Sequence, residues 1–235
     1  MIELLLPEPV AAVETFDDVA DEACFPGEED LIAAAVESRR REFVTARRCA
    51  REALQRLGFA PRPIRPGPRR EPLWPPGVVG SITHCAGYRA AAVTTGTVLA
   101  GLGIDAEPHG PLPDGVAEAV TVPEERTTVA DLSRSMPAVH WDRLLFSAKE
   151  SVYKAWYPLT GRWLGFEEAR LEFDPAAGTF VARLRADGTR LDGGPPLRTL
   201  HGRYLVARGL VLTAALVDPG QPSGYSAIRV RSVQR

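Results

Sequence analysis

The sequence almost dispenses with lysine: of its 28 cationic side chains, 26 are arginine, and Lys149 and Lys154 are the only lysines. Where any positive charge would serve, this chain uses arginine. The two ammonium groups therefore look selected, because a compact point charge suits phosphate oxygens or a tunable proton site in a way the planar guanidinium fork does not. Cysteine is also scarce. Cys24, Cys49 and Cys85 are odd in number and show no Cys-x-x-Cys spacing, which excludes a disulfide framework and a zinc knuckle and favours a reducing cytoplasm. No apolar run approaches the ~20 residues of a membrane span, and residues 1–9 carry no basic leader, so neither a membrane nor an export route is expected. Net charge is only −2, so no overall pull toward nucleic acid or an anionic membrane is expected. Neither a Walker sequence nor Gly-x-Gly-x-x-Gly occurs, which disfavours an ordinary nucleotide-binding fold.

What is present is enough for a packed core. The 235 residues are 45% hydrophobic, which suits one large domain or two small ones. Residues 39–57 predict a helix, with Phe43, Ala46, Ala50, Ala53, Leu54 and Leu57 on one face and Gly58 as its stop. Arginines crowd it. Arg39, Arg40, Arg41, Arg47, Arg48 and Arg51 form either a solvated basic face or an anion site. Residues 61–76 hold seven prolines and predict an extended surface connection, with Arg62, Arg65, Arg69 and Arg70 placed to extend that basic face. The acidic segment 14–30 reads as loop and short helical pieces.

Residues 78–83 and 89–95 predict two strands around a turn at Cys85-Ala86-Gly87. His84 closes the first, after Ser81 and Thr83, where polar side chains can converge on a ligand. Residues 98–107 predict a buried strand whose period of two turns Asp105 and Glu107 to one face and Ile104 and Ala106 to the other. Two like charges on one face repel unless a cation joins them. A loop follows at 110–115, then a short helical piece from Val116 and a turn at residues 123–126. Residues 142–157 predict a helix with Leu145, Ala148, Val152, Ala155 and Trp156 as its apolar stripe, while Glu150 and Lys154, four apart, share a face. A loop carrying Trp163 and Phe166 leads into strands at 169–173, 179–184 and 197–200, then a hairpin of 204–208 and 210–217 through Gly209. The tail from Asp218 is read as peripheral.

Three carboxylates, Asp105, Glu107 and Glu150, together with Lys149 and Lys154 point to phosphate chemistry: magnesium takes a few carboxylates and completes its shell with substrate phosphates and water. The motifs that carry them, Gly-Ile-Asp-Ala-Glu-Pro at 103–108 and Phe-Ser-Ala-Lys-Glu-Ser-Val-Tyr-Lys-Ala-Trp at 146–156, resemble those of 4′-phosphopantetheinyl transferases of the larger, surfactin-synthetase type. Agreement extends to Arg39-Arg-Arg-Glu-Phe with Arg47, to Trp74-Pro, to residues 80–88 and 163–168, and to His201-Gly-Arg-Tyr204. The wording is most similar to actinobacterial members.

The resemblance implies an α/β (α+β) fold, a pseudo-twofold pair of similar subdomains (1–103 and 104–217, with 218–235 peripheral) and coenzyme A in the cleft between them, the halves meeting near Gly103. It implies that Asp105, Glu107 and Glu150 ligate Mg²⁺, or Mn²⁺ in its place. Lys154, with Lys149 nearby, would face the pyrophosphate, and Arg39, Arg47, Thr83 and His84 would hold the 3′-phosphoadenosine end. Arg69 or Arg65 is a candidate for a further phosphate contact. The reaction implied is attack by a serine hydroxyl of an apo acyl or peptidyl carrier protein on the β-phosphorus of coenzyme A, releasing adenosine 3′,5′-bisphosphate. Positioning and charge neutralisation would supply most of the rate, with Glu150 as base and Glu124 or a water as alternatives. A cytoplasmic monomer is expected, with residues 108–122 as the carrier-docking surface through Leu112 and Val116. Two rival readings stay open: a Mg²⁺-dependent pyrophosphohydrolase with no protein acceptor, and a non-catalytic coenzyme A or carrier-binding protein.

Overall fold

Twenty residues free of proline and glycine, with apolar side chains returning every three or four positions, form the first long helix, α1 (Glu37–Arg56). The computed structural model describes residues 1–220, so the predicted tail from 221 onward lies outside the described residues. Helix α1 buries Val44, Ala46, Cys49, Ala50, Ala53 and Leu54 against a three-stranded antiparallel sheet of β1 (Ala11–Thr15), β2 (Val78–Cys85) and β3 (Tyr88–Thr95), in the order β1-β3-β2. The central strand β3 is buried along seven of its eight residues, Tyr88 to Thr94, as expected of a strand covered on both faces.

The second sheet is five-stranded and antiparallel, in the order β4-β8-β7-β6-β5: β4 (Gly101–Pro108), β5 (Ala169–Asp174), β6 (Thr179–Leu184), β7 (Thr199–Ala207) and β8 (Leu210–Val217). A second long helix, α4 (Trp141–Thr160), lies across β4 and β8 and buries Leu145, Ala148, Val152, Ala155 and Trp156, the predicted stripe. Each sheet thus carries one long helix, an α+β arrangement. Two shorter helices, α2 (Val116–Val120) and α3 (Pro123–Ser135), occupy the connection from β4 to α4. No helix among the described residues is long and apolar enough to cross a membrane.

The two sheets meet at β2 and β4, which share no backbone ladder. Two hydroxyls on one face of β2 bridge them: Ser81 Oγ accepts from the Ile104 N–H and Thr83 Oγ1 from the Ala106 N–H, both at 3.0 Å. The period of two along β2 aligns these side chains with alternate N–H groups of β4, so the edge of the second sheet is satisfied without a strand partner.

Several elements differ from the sequence reading, each for a physical reason. Strand β1 was missed because five residues, two of them alanine, carry too little pattern. The expected turn at 123–126 opens a 13-residue helix: Pro123 sits at its first position, where the missing N–H costs nothing, and Glu125 accepts from the Val122 N–H at 3.0 Å. Helix α4 continues three residues beyond 157 through Pro158, which lies in its last turn, and ends at Gly161 (φ 65°), the left-handed stop. The predicted strand at 197–200 and the first arm of the hairpin are one strand, β7. Arg208 and Gly209, both at positive φ, make the turn to β8, the geometry a two-residue hairpin needs. The docking role expected for Leu112 is overturned. Its side chain is buried in the core beneath α4 and its N–H is held by Asp142 at 2.8 Å, so replacing it would disturb packing before any surface contact.

Candidate active site

Helix α4 and strand β4 touch where glycine removes the obstacle. A Cβ on Gly103 would meet the Ser151 carbonyl oxygen at 1.9 Å and the Ala155 nitrogen at 2.7 Å, distances no side chain tolerates. This close seam delivers Asp105 to Lys154: Nζ donates to Asp105 Oδ1 at 2.7 Å and to the Ile104 carbonyl at 3.2 Å. Thr83 Oγ1 lies 3.5 Å from the same carboxylate oxygen. The other, Asp105 Oδ2, is buried with no hydrogen-bond partner.

Glu107 follows on the same face of β4 and accepts from Arg143 Nη1 at 3.0 Å. Burial, and then the charge of Asp105, push its carboxyl above the ordinary range. Glu150 is pushed up as well, chiefly by burial, with Lys154 opposing the shift and Asp105 adding to it. The structure therefore brings Asp105, Glu107, Glu150 and Lys154 into one electrostatic neighbourhood. Among the described residues, no three carboxylate, imidazole or thiol groups are drawn together as a ready metal cluster; Lys154 and Arg143 hold two of the carboxylates instead. The donor set still fits a divalent cation in its chemistry. It offers hard carboxylate oxygens, one of them buried and unpartnered, and a mutual repulsion that a cation would relieve.

Beside this group stands a second cluster, built from α1 and the end of β2. Arg39 Nη1 donates to His84 Nε2 at 3.0 Å and to Glu42 at 3.0 Å. Burial lowers the pKa of His84 to about 4, with Arg39 the next cause and Lys154 a further one, so the ring is neutral and the two clusters adjoin. Two turns along α1, Arg47 stacks over Phe43 at 3.6 Å and donates to the Ile64 carbonyl at 3.1 Å. Burial lowers its pKa to about 10. The Pro-rich segment supplies less than expected here. Arg65 is paired with Asp30, and Arg69 lies 5.7 Å from the Trp163 ring.

The depressed pKa of His84 has a direct consequence. The unfolded chain binds a proton near pH 6.5 and the folded one only near 4, so stability falls as pH drops through that window. We expect this group to cost on the order of 2 kcal/mol at pH 4.5 relative to pH 7, and His84→Gln to remove that contribution. Denaturant titrations of both proteins at the two pH values measure it; equal losses would show that His84 ionises normally.

Lys149 departs from the reading given to it. Its ammonium does not reach the carboxylate group; it donates to Glu125 Oε2 and to the Phe166 carbonyl, both at 2.7 Å. Three residues with a place in or beside the site were not singled out from sequence: Arg143, Glu125 and Tyr153. Arg143 had a signal, since positions 143, 150 and 154 fall on one face of α4. Tyr153, whose buried hydroxyl has no partner, lines a cavity with Lys149, Glu150, Trp163, Leu164, Phe166 and Ala169.

Family models match both halves of the chain. Residues 27–94 match the model of the 4′-phosphopantetheinyl transferase N-terminal domain, and residues 101–204 that of the 4′-phosphopantetheinyl transferase superfamily. The chain is 52% identical over 215 residues to the 4′-phosphopantetheinyl transferase PptT of Mycobacterium tuberculosis, covering 89% of this chain and 93% of that protein. It is 54% identical over 220 residues to the 4′-phosphopantetheinyl transferase Svp of Streptomyces mobaraensis, covering 92% and 89%. A more distant relative, enterobactin synthase component D of Salmonella typhi, is 34% identical over 126 residues, about half of each chain.

Proposed function

The chain belongs to the 4′-phosphopantetheinyl transferase superfamily, an enzyme family that moves phosphopantetheine from coenzyme A to carrier proteins, and from that premise we propose how its residues divide the work. The single observation that carries the proposal is the Asp105–Lys154 contact across the α4–β4 seam, with Glu107 and Glu150 beside it. Asp105, Glu107 and Glu150 would hold Mg²⁺, or Mn²⁺ in its place. When bound, the ion neutralises phosphate charge and orients the pyrophosphate. Lys154, partly exposed and hydrogen-bonded to Asp105, faces the same phosphates. Arg39, Arg47 and His84 form the pocket for the 3′-phosphoadenosine end, and Thr83 fixes the strand that carries Asp105. Arg69, beside Trp163, is the candidate for a further phosphate contact.

The carrier serine Oγ forms a bond to the β-phosphorus, the bond from that phosphorus to the bridging oxygen breaks, and adenosine 3′,5′-bisphosphate leaves with the electron pair. Glu150 takes the serine proton, and its raised proton affinity suits that role near neutral pH. Glu124, exposed on the surface of α3, is less well placed. The partners are apo acyl and peptidyl carrier proteins, met by a monomeric enzyme in the cytoplasm. Its three thiols are free, consistent with that compartment.

The test is mass spectrometry of an apo carrier incubated with the protein, coenzyme A and Mg²⁺. A phosphopantetheinyl mass gain is expected, lost with a chelator and restored by Mg²⁺ or Mn²⁺. Absence of any gain across several acyl and peptidyl carriers, with the enzyme folded, would reject the assignment. Turnover of coenzyme A without a carrier would favour hydrolysis.

A further inference from the structure

One step along α4 from Glu150 lies a buried ion pair that the reaction as described does not use. The side chains of Lys149 and Glu125 are each 1% exposed and meet at 2.7 Å. Four segments converge on them. Lys149 Nζ donates to the Phe166 carbonyl at 2.7 Å, Glu125 Oε2 also accepts from the Val122 N–H at 3.0 Å, and Glu125 Oε1 accepts from the Leu171 N–H at 2.7 Å. The pair therefore ties α4 to the start of α3, to β5 and to the segment between α4 and β5. That last segment supplies Trp163, Leu164 and Phe166 to the cavity that Lys149, Glu150 and Tyr153 of α4 also line.

Net stability is a poor reason for such a pair, because removing two charges from water largely cancels their attraction. A defined arrangement is a better one. Consecutive residues of a helix diverge by about 100°, so Lys149 and Glu150 point to different sides of α4. The lysine's ammonium ends on the Phe166 carbonyl and Glu125, and Glu150 lines the same cavity without joining that contact.

We propose that Lys149 and Glu125 are positioning residues for phosphopantetheinyl transfer, setting the distance between the 163–166 wall and Glu150 without touching coenzyme A. This rests on the transferase reading above. It replaces the view of Lys149 as a phosphate ligand: two of the ammonium's three donors are already engaged in a site closed to solvent.

Lys149→Gln, Glu125→Gln and the double variant, made in the full chain, test it with coenzyme A and an apo carrier. Each single change is expected to lower kcat about 10- to 100-fold, the range for a misplaced reacting geometry. The double variant should be no worse than the weaker single by more than about 3-fold, because both act through one contact. The calorimetric Kd for coenzyme A should stay within about 2-fold of the parent, so that the loss falls on kcat and not on binding. Lys149→Arg keeps the buried charge should the glutamine variants fail to fold, and is expected to fold yet lose about 10-fold in kcat. A Kd weakened about 10-fold in Lys149→Gln but not in Glu125→Gln would make Lys149 a direct ligand and overturn the proposal. Parental kcat in the folded variants would also overturn it. Failure of the parent protein itself to modify a carrier would instead sink the transferase reading.

Discussion

Glu150→Gln is expected to lower carrier modification about 10³-fold while leaving the protein as stable as before or slightly more so. The two effects have one cause. Burial and the neighbouring charge of Asp105 raise the pKa of Glu150, so the fold tolerates its ionised form less well than water does. A raised carboxyl contributes stability that is lost as pH rises through the interval between its unfolded and folded values. At neutral pH the charge is a cost, and the isosteric amide removes it. The same substitution deletes the expected base and one donor to the divalent ion, and losses of 10²–10³-fold for single electrostatic groups are ordinary. Asp105→Asn should lose activity to a similar degree but with a small loss of stability, because Lys154 then keeps the Ile104 carbonyl and a neutral amide oxygen in place of a charged partner. Time courses by mass spectrometry, paired with thermal melts, read both quantities. A Glu150→Gln protein that melts markedly lower and stays active would place Glu150 in the scaffold and out of the chemistry.

Much of this was legible from sequence, and the reasons are local. The period of two through Ile104, Asp105, Ala106 and Glu107 assigns both carboxylates to one face, and the structure keeps them there, with Thr213 and Val211 as their partners on β8. The scarcity of lysine pointed to α4, and the spacing of Glu150 and Lys154 predicted a shared face. Both rules depend only on backbone geometry. Lys149 shows where residue counting stops: rarity marked it as strongly as Lys154, but the helical angle carries it to the other side, onto a glutamate in a segment read as a turn. Leu112 shows a second limit. An apolar residue in a Pro- and Gly-rich loop looks like a surface anchor until the loop folds back and Asp142 captures its N–H. Such placements depend on contacts thirty residues away. The bridging of two sheets by Ser81 and Thr83 is likewise invisible in sequence, since it requires knowing that β2 and β4 lie side by side.

Gly103→Ala is expected to destabilise the protein by about 3 kcal/mol or more and to remove transfer activity with it. The Cβ would sit 1.9 Å from the Ser151 carbonyl oxygen and 2.7 Å from the Ala155 nitrogen. Both are backbone atoms in the middle of α4, so no side chain can rotate aside. Either the helix or the strand must retreat, and overpacking of this kind costs 1–3 kcal/mol even where the neighbours are flexible. For a chain of this length that corresponds to a fall of roughly 6–12 °C in Tm. The functional loss follows from the same displacement. Asp105 lies two residues along β4 and Lys154 one turn along α4 from the blocked contact, so separating the elements pulls apart the 2.7 Å pair on which phosphate and metal binding are proposed to depend. Gly110→Ala is the control. Its added methyl meets nothing within 4 Å, and by restricting the unfolded chain it should leave stability unchanged or raise it by about 0.5 kcal/mol. If Gly103→Ala matches Gly110→Ala in both Tm and activity, the close α4–β4 seam is not what sets the geometry of the site.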